Sequence, residues 1–187
     1  MARQGAGRVC AAAAGGQGVA VRRLVRGLVF VVGLAIAGSA SAGDRYDKTP
    51  CSAPEHHQFD FWIGQWEVFL PNGNKAGENR IEAVEGGCAL LEQWSGTRGP
   101  TGKSLNIYDG LRRVWHQTWV DSTGGLLVLE GQWLDGRMVL SSTAHPIQRI
   151  TWAPQPDGSV RQLWESSKDG GKNWSTAFDG KYVKKRP

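Results

Sequence analysis

Turn signals punctuate this chain at short, regular intervals. From Gln65 onward nearly every segment is a run of strand length closed by a turn signal, and no stretch keeps a helical period. The signals are Pro71-Asn72-Gly73-Asn74, Glu85-Gly86-Gly87, Gly99-Pro100-Thr101-Gly102, Asp109-Gly110, Ser122-Thr123-Gly124-Gly125, Asp135-Gly136, Pro154 to Gly158 and Asp169-Gly170-Gly171. Glycine admits positive φ, and Asn or Asp bonds its own backbone, so each cluster ends a strand for a physical reason. The runs between them predict strands over Gln65–Leu70, Glu78–Val84, Cys88–Ser95, Lys103–Tyr108 and Val114–Asp121, then Leu126–Leu134, Arg137–Thr143, Arg149–Ala153, Ser159–Ser166 and Trp174–Tyr182.

Regular spacing with tight turns implies an all-β chain with consecutive antiparallel pairing. About ten strands in an open sheet would leave two unpaired edges. Closure into an up-and-down barrel removes both, and a two-sheet sandwich is the alternative. Phe59-Asp60-Phe61-Trp62-Ile63 is apolar without strand alternation, which predicts a short helical plug at one end of the barrel.

The N-terminus has a different character. Arg3, Arg8, Arg22, Arg23 and Arg26 precede an apolar run from Leu28 to Ala37, followed by Ala40-Ser41-Ala42. A basic region, a short apolar core and a small-residue cleavage site are the parts of a secretory signal, the core being too short for a permanent span. The expected organisation is a signal peptide over 1–42 cleaved after Ala42, an N-terminal arm over 43–58 and a barrel domain over 59–187, exported to the periplasm or beyond. An uncleaved anchor is the alternative, and Arg22-Arg23 leaves the export route open.

Subtracting this segment changes the charge. Five of the 22 Lys and Arg residues lie in it and all 17 Asp and Glu residues lie after it, so residues 43–187 are formally neutral. The basic surplus that nucleic-acid or acidic-membrane binding needs is therefore absent from the folded part, and that class is excluded. Cys10 also leaves, so Cys51 and Cys88 remain as a pair in an oxidising compartment. A Cys51–Cys88 disulfide would pin the arm to an early strand, worth roughly 3 kcal/mol by loop closure. Two separate buried thiols are the alternative.

Several segments carry a family resemblance. They are Phe59-Asp60-Phe61-Trp62-Ile63-Gly64-Gln65-Trp66, Gly87-Cys88-Ala89-Leu90-Leu91-Glu92-Gln93-Trp94, Gln117-Thr118-Trp119-Val120-Asp121, Asp157-Gly158-Ser159-Val160-Arg161-Gln162 and Phe178-Asp179-Gly180 with Tyr182. Together they resemble a secreted bacterial family catalogued as a domain of unknown function (number 1579). Gly64-Gln65-Trp66 on a first strand is similar to the opening signature of lipocalins and other calycins. The resemblance implies a calycin-like antiparallel barrel and brings no reaction and no catalytic residues with it.

Of the nine tryptophans, three on expected strands stand two residues after an amide or carboxylate: Glu92 with Trp94, Gln117 with Trp119 and Gln162 with Trp164. Residues i and i+2 share a strand face, so each pair offers an aromatic wall and a polar hook on one side of the sheet. If that side is the interior, the barrel encloses a cavity suited to a small hydrophobic or aromatic ligand. Trp115 and Asp121 extend the face, and Tyr108 joins it from the preceding strand. Glu92 and Asp121 would be expensive to bury unless water, a ligand or a partner met them. Arg149 and Arg161 are candidate internal partners, with solvent as the alternative, since Arg161 alternates opposite to Gln162. One alternative is an enzyme using Glu92 or Asp121 as general acid or base in the same cavity; another is a solid-core structural or interaction protein.

Other motifs add little chemistry. Gly102-Lys103-Ser104 lacks the glycine spacing and following helix of a phosphate loop. Ser167-Lys168-Asp169-Gly170-Gly171-Lys172-Asn173-Trp174 matches an Asp box, a hairpin device, and a single copy is not a propeller. His56, His57, His116 and His145 fall in no ligand spacing, so neither a metal nor another cofactor is expected. No Gly-x-Ser-x-Gly elbow is present.

Overall fold

In the computed structural model, which describes residues 49–185, the turn chemistry of the sequence translates into ten antiparallel strands. They are β1 (Gly64–Phe69), β2 (Lys75–Val84), β3 (Ala89–Gly96), β4 (Thr101–Asp109), β5 (Val114–Asp121), β6 (Leu126–Leu134), β7 (Arg137–Ser141), β8 (Ile147–Pro154), β9 (Val160–Ser167) and β10 (Ser175–Lys184). Each strand pairs with its sequence neighbours, and β1 pairs with β10 from Trp66 opposite Lys184 to Phe69 opposite Lys181. The sheet is thus a closed up-and-down barrel, and no edge is left unpaired. The signal segment expected over 1–42, its cleavage site and Cys10 lie outside the described residues. Within those residues, no helix is long and apolar enough to cross a membrane.

Strand limits differ from expectation where glycine reads as a turn. Gly77 and Gly102 are strand-depleted residues, yet both lie inside strands, so β2 begins at Lys75 and β4 at Thr101. The reason is packing, described with the site below. At the other limit, β10 runs on to Lys184, because its last residues supply the closing ladder to β1.

Two 3-10 turns, Pro54–His57 and Asp60–Trp62, form the plug at the end where β1 begins. Phe59 and Trp62 are fully buried and stacked, with ring centroids 4.9 Å apart. Phe59 meets Trp115 and Trp152 edge-on at 5.6 and 5.2 Å. The Trp62 carbonyl accepts the Trp66 indole N–H at 2.9 Å, so the plug is bonded to the strand it feeds. With Val68, Leu129, Met138 and Leu140, these rings fill this half of the barrel as a solid core. Cys51 and Cys88 form a disulfide with Cα atoms 5.2 Å apart, which ties the arm to the turn before β3.

Outside, Leu105 and Ile107 of β4, Val120 of β5, and Leu126 and Val128 of β6 are exposed. The register sets Leu105 across Thr118 from Val128, and Val120 beside Leu126. The outer wall over these three strands accordingly carries an apolar patch, bordered by Lys103 and by His116 with Glu130.

Candidate functional site

The alternation of each strand decides which residues enter the barrel, and the register brings them level. Glu92 of β3 stands between Ile81 of β2 and Ser104 of β4, Trp119 of β5 is the next partner along, and Trp164 of β9 lies between Ile150 of β8 and Phe178 of β10. At the end opposite the plug these side chains surround a cavity of about 230 Å³. Its wall comprises Glu92, Trp94, Pro100, Gln117, Trp119, Asp121, Leu127, Ile150, Trp152, Gln162, Trp164, Phe178 and Tyr182. Seven of the nine residues expected on this face, namely Glu92, Trp94, Gln117, Trp119, Asp121, Gln162 and Trp164, are therefore on one wall.

Tyr108 and Trp115 share the inward face but belong to the plugged half. Trp115 is buried and donates its indole N–H to Gln58 Oε1 at 3.2 Å. Tyr108 packs edge-on to His56, with centroids 5.1 Å apart. The difference is axial position along the barrel, which period-two alternation does not encode.

The tryptophans line rather than fill the open half because glycines sit beneath them. A Cβ on Gly77 would come within 2.7 Å of the Trp94 ring, and one on Gly102 within 2.2 Å of the Trp119 ring. Each indole leans diagonally onto the neighbouring strand and lies against bare backbone, which is the arrangement in which aromatic residues cover strand glycines. Gly102→Ala is expected to push the Trp119 indole into the lumen, costing about 2 kcal/mol in overpacking and altering tryptophan emission. Urea unfolding monitored by fluorescence measures both effects. An unchanged midpoint and spectrum would show that the indole moves aside freely.

A chain of polar side chains crosses the barrel floor. Glu92, only 4% exposed, accepts from Asn79 Nδ2 at 2.7 Å and from Ser104 Oγ at 2.6 Å. Asn106 donates to Ser104 Oγ at 2.9 Å, and Gln117 donates to Asn106 Oδ1 at 2.7 Å. On the other side Asn79 Nδ2 reaches Tyr182 Oη at 3.3 Å, and the Tyr182 hydroxyl donates to Gln162. The Asn79 Oδ1 and Trp152 Nε1 atoms are buried without a hydrogen-bond partner. Burial pushes the Glu92 carboxyl up to about 7, against the downward pull of its Ser104 and Asn79 hydrogen bonds. Tyr182 is raised well above its ordinary value, first by burial and then by the charge of Glu92.

Asp121 has the opposite character. Its Oδ1 accepts from the Thr123 hydroxyl at 2.6 Å, the Thr123 N–H at 2.8 Å and the Gly125 N–H at 3.0 Å. Those bonds, led by the Thr123 hydroxyl, hold its carboxyl down at about 2. Asp121 thus ties the β5–β6 hairpin at the cavity rim, and its Oδ2 takes the Trp119 indole N–H at 3.4 Å.

Neither arginine considered as an internal partner is internal. Arg149 pairs with Glu165 at 2.8 Å and lies 3.9 Å above the Trp174 ring, while Arg161 pairs with Asp179 at 2.7 Å. Both stand on the strand face opposite to Ile150 and Gln162. Among the described residues, the cavity wall therefore contains two carboxylates and no Lys, Arg or His. His116 bridges Glu130 and Thr118 at 3.1 and 2.8 Å, away from the cavity. No group of three His, Cys, Asp or Glu side chains among the described residues forms a metal site.

The Asp box is a hairpin device here. Asp169 Oδ1 accepts the backbone N–H groups of Lys172 and Asn173 at 3.1 and 2.9 Å, and Trp174 donates to the Gly171 carbonyl at 2.9 Å. The residues missed by sequence reasoning are Asn79, Ser104 and Asn106, which build the floor, and Pro100, Leu127, Ile150, Trp152, Phe178 and Tyr182, which complete the wall. A signal existed for the first three: polar residues at alternating positions in strands that otherwise bury their inward face. Neither a protein-family model nor a curated protein matches this chain.

Proposed function

We propose that this chain is an exported bacterial protein whose barrel binds a small, partly apolar ligand in the Trp-lined cavity opposite the plug. The observation that carries this reading is the cavity itself, about 230 Å³ held open by indoles lying on glycines above a buried carboxylate. Its size falls below the roughly 300–1,000 Å³ common for drug-sized ligands, which favours a molecule of small-metabolite dimensions. A solid core would have no use for a carboxylate without a countercharge, since burial of such a group is costly. Export is supported by the Cys51–Cys88 disulfide, which persists in oxidising compartments, and by the Ala40-Ser41-Ala42 ending of the basic and apolar N-terminal segment. The similarity to the secreted calycin-like family belongs to the same reading.

Glu92 also supports a second reading, the same cavity as a reaction chamber with Glu92 as general acid or base, because a carboxyl near 7 suits that work. Asp121 does not serve it, being committed to its hairpin. Titrating the protein with a panel of small hydrophobic and aromatic molecules is expected to give a saturable shift in tryptophan emission, lost when Trp119 is replaced by Leu. A flat response across the panel would defeat the binding reading.

A further inference from the structure

Among the described residues, the cavity wall presents indoles and two carboxylates and no Lys, Arg or His. The Trp119 and Trp164 N–H groups are engaged by Asp121 and by Gln148 at 3.4 and 2.6 Å, so these two wall indoles meet a ligand with ring carbons rather than with free donors. Beneath them Glu92 has only the neutral partners Asn79 and Ser104. The nearby guanidinium groups of Arg149 and Arg161 are taken up outside the barrel by Glu165 and Asp179.

Resting on the ligand-binding reading above, we propose that the ligand is a small organic cation, an amine or quaternary ammonium with an apolar body, seated among the indole faces and countered by Glu92. Tryptophan is the best cation–π partner, and the attraction grows when the cation is desolvated. A carboxylate beside such a head lets both charges leave water together, which neither does well alone. An anion would face Glu92 and Asp121 with no countercharge on the wall, and a neutral molecule would leave ionised Glu92 uncompensated.

The groups facing Glu92 settle how binding responds to pH. From β2 and β4 they are Asn79 and Ser104, which do not titrate; across the barrel they are Gln162 and Tyr182, and at the rim Asp121. Asp121 stays ionised and Tyr182 stays neutral throughout the physiological range. Glu92, at about 7, is then the one cavity group that changes charge there, and cation affinity rises as it ionises.

The test compares phenyltrimethylammonium, its uncharged carbon isostere tert-butylbenzene, and benzoate, by tryptophan fluorescence and calorimetry on the oxidised protein between about pH 5.5 and pH 8. At the upper pH the ammonium compound is expected to bind roughly tenfold more tightly than tert-butylbenzene. Its affinity should fall by a similar factor toward the lower pH, while that of tert-butylbenzene stays level. Glu92→Gln should abolish both the preference and the pH dependence, and the wild-type profile gives the same information without a variant. Equal or tighter binding of tert-butylbenzene or benzoate at the upper pH overturns the cation assignment and leaves the cavity as a ligand site. Silence from all three probes overturns both readings.

Discussion

Glu92→Gln is expected to stabilise the protein by about 3 kcal/mol near pH 8 and to leave it almost unchanged near pH 4.5. The carboxyl has a folded value of about 7 against an ordinary 4.5. Between those values the folded chain holds a proton that the unfolded chain has released, so the stability contributed by this group is fully present below about 4.5. It is lost as pH rises through about 7, and above that the loss is complete and flat. Glutamine has the same shape and no charge to desolvate. Asn79 can meet the new amide by turning its unpartnered Oδ1 toward it. Asp121 and Asp169, with carboxyls held down at about 2, and Asp157, pulled lower still by Lys181, contribute in the opposite direction. Their stabilisation is present above about pH 4 and is lost only in acid, so it does not overlap the Glu92 window. Urea unfolding of both proteins at a series of pH values reads the difference directly. Parallel pH profiles would mean that Glu92 is solvated in the folded state. A gain of stability on removing an acid from a cavity floor is the pattern expected of a site shaped for a ligand rather than for the fold alone.

Trp62→Ala is expected to cost about 4 kcal/mol, in the range for deleting a fully buried indole. Trp62 is the centre of the plug: it stacks on Phe59, lies 5.4 Å from Trp152 and 6.3 Å from Tyr182, and has no exposed surface. Truncation leaves a hole between the plug and the floor that no neighbouring side chain can close without breaking the stack. Trp62→Phe should cost far less, within about 1.5 kcal/mol, because it keeps the ring contact and also removes an indole N–H that has no partner in this site. Denaturation midpoints for the two variants separate the contributions. Similar large losses for both would show that shape, and not aromatic packing, governs the plug.

Much of this architecture was legible because its signals are local. The hairpins at Asn72-Gly73, Thr123-Gly124, Asp135-Gly136 and Asp157-Gly158 turn where their side chains dictate, and every expected strand is present. The misreadings at Gly77 and Gly102 have one cause. A glycine that ends a strand and a glycine that lies under an indole of the next strand are identical in sequence, and only the partner strand distinguishes them. Arg149 and Arg161 pair outside the barrel because each stands one residue from an inward position, an offset that reverses the face. Alternation already indicated this for Arg161 beside Gln162.

Local chemistry is enough for the all-β class, about ten strands, the plug segment and the placing of Glu92 with Trp94, Gln117 with Trp119 and Gln162 with Trp164 on shared strand faces. These follow from turn chemistry and a period of two, which act between near neighbours. Closure, the Cys51–Cys88 bond and the inward direction of those faces come from the fold. Trp115 is core while Trp119 is wall because the plug fills one end of the closed barrel and not the other, a matter of packing between distant segments. Closure also raises Glu92 to about 7 by burying it, whereas Asp121 is lowered to about 2 by its own hairpin. Both are acids on the same face. Their difference comes from burial of Glu92 at a floor that closure assembles from distant strands, and from the Thr123 and Gly125 donors that the local β5–β6 hairpin presents to Asp121.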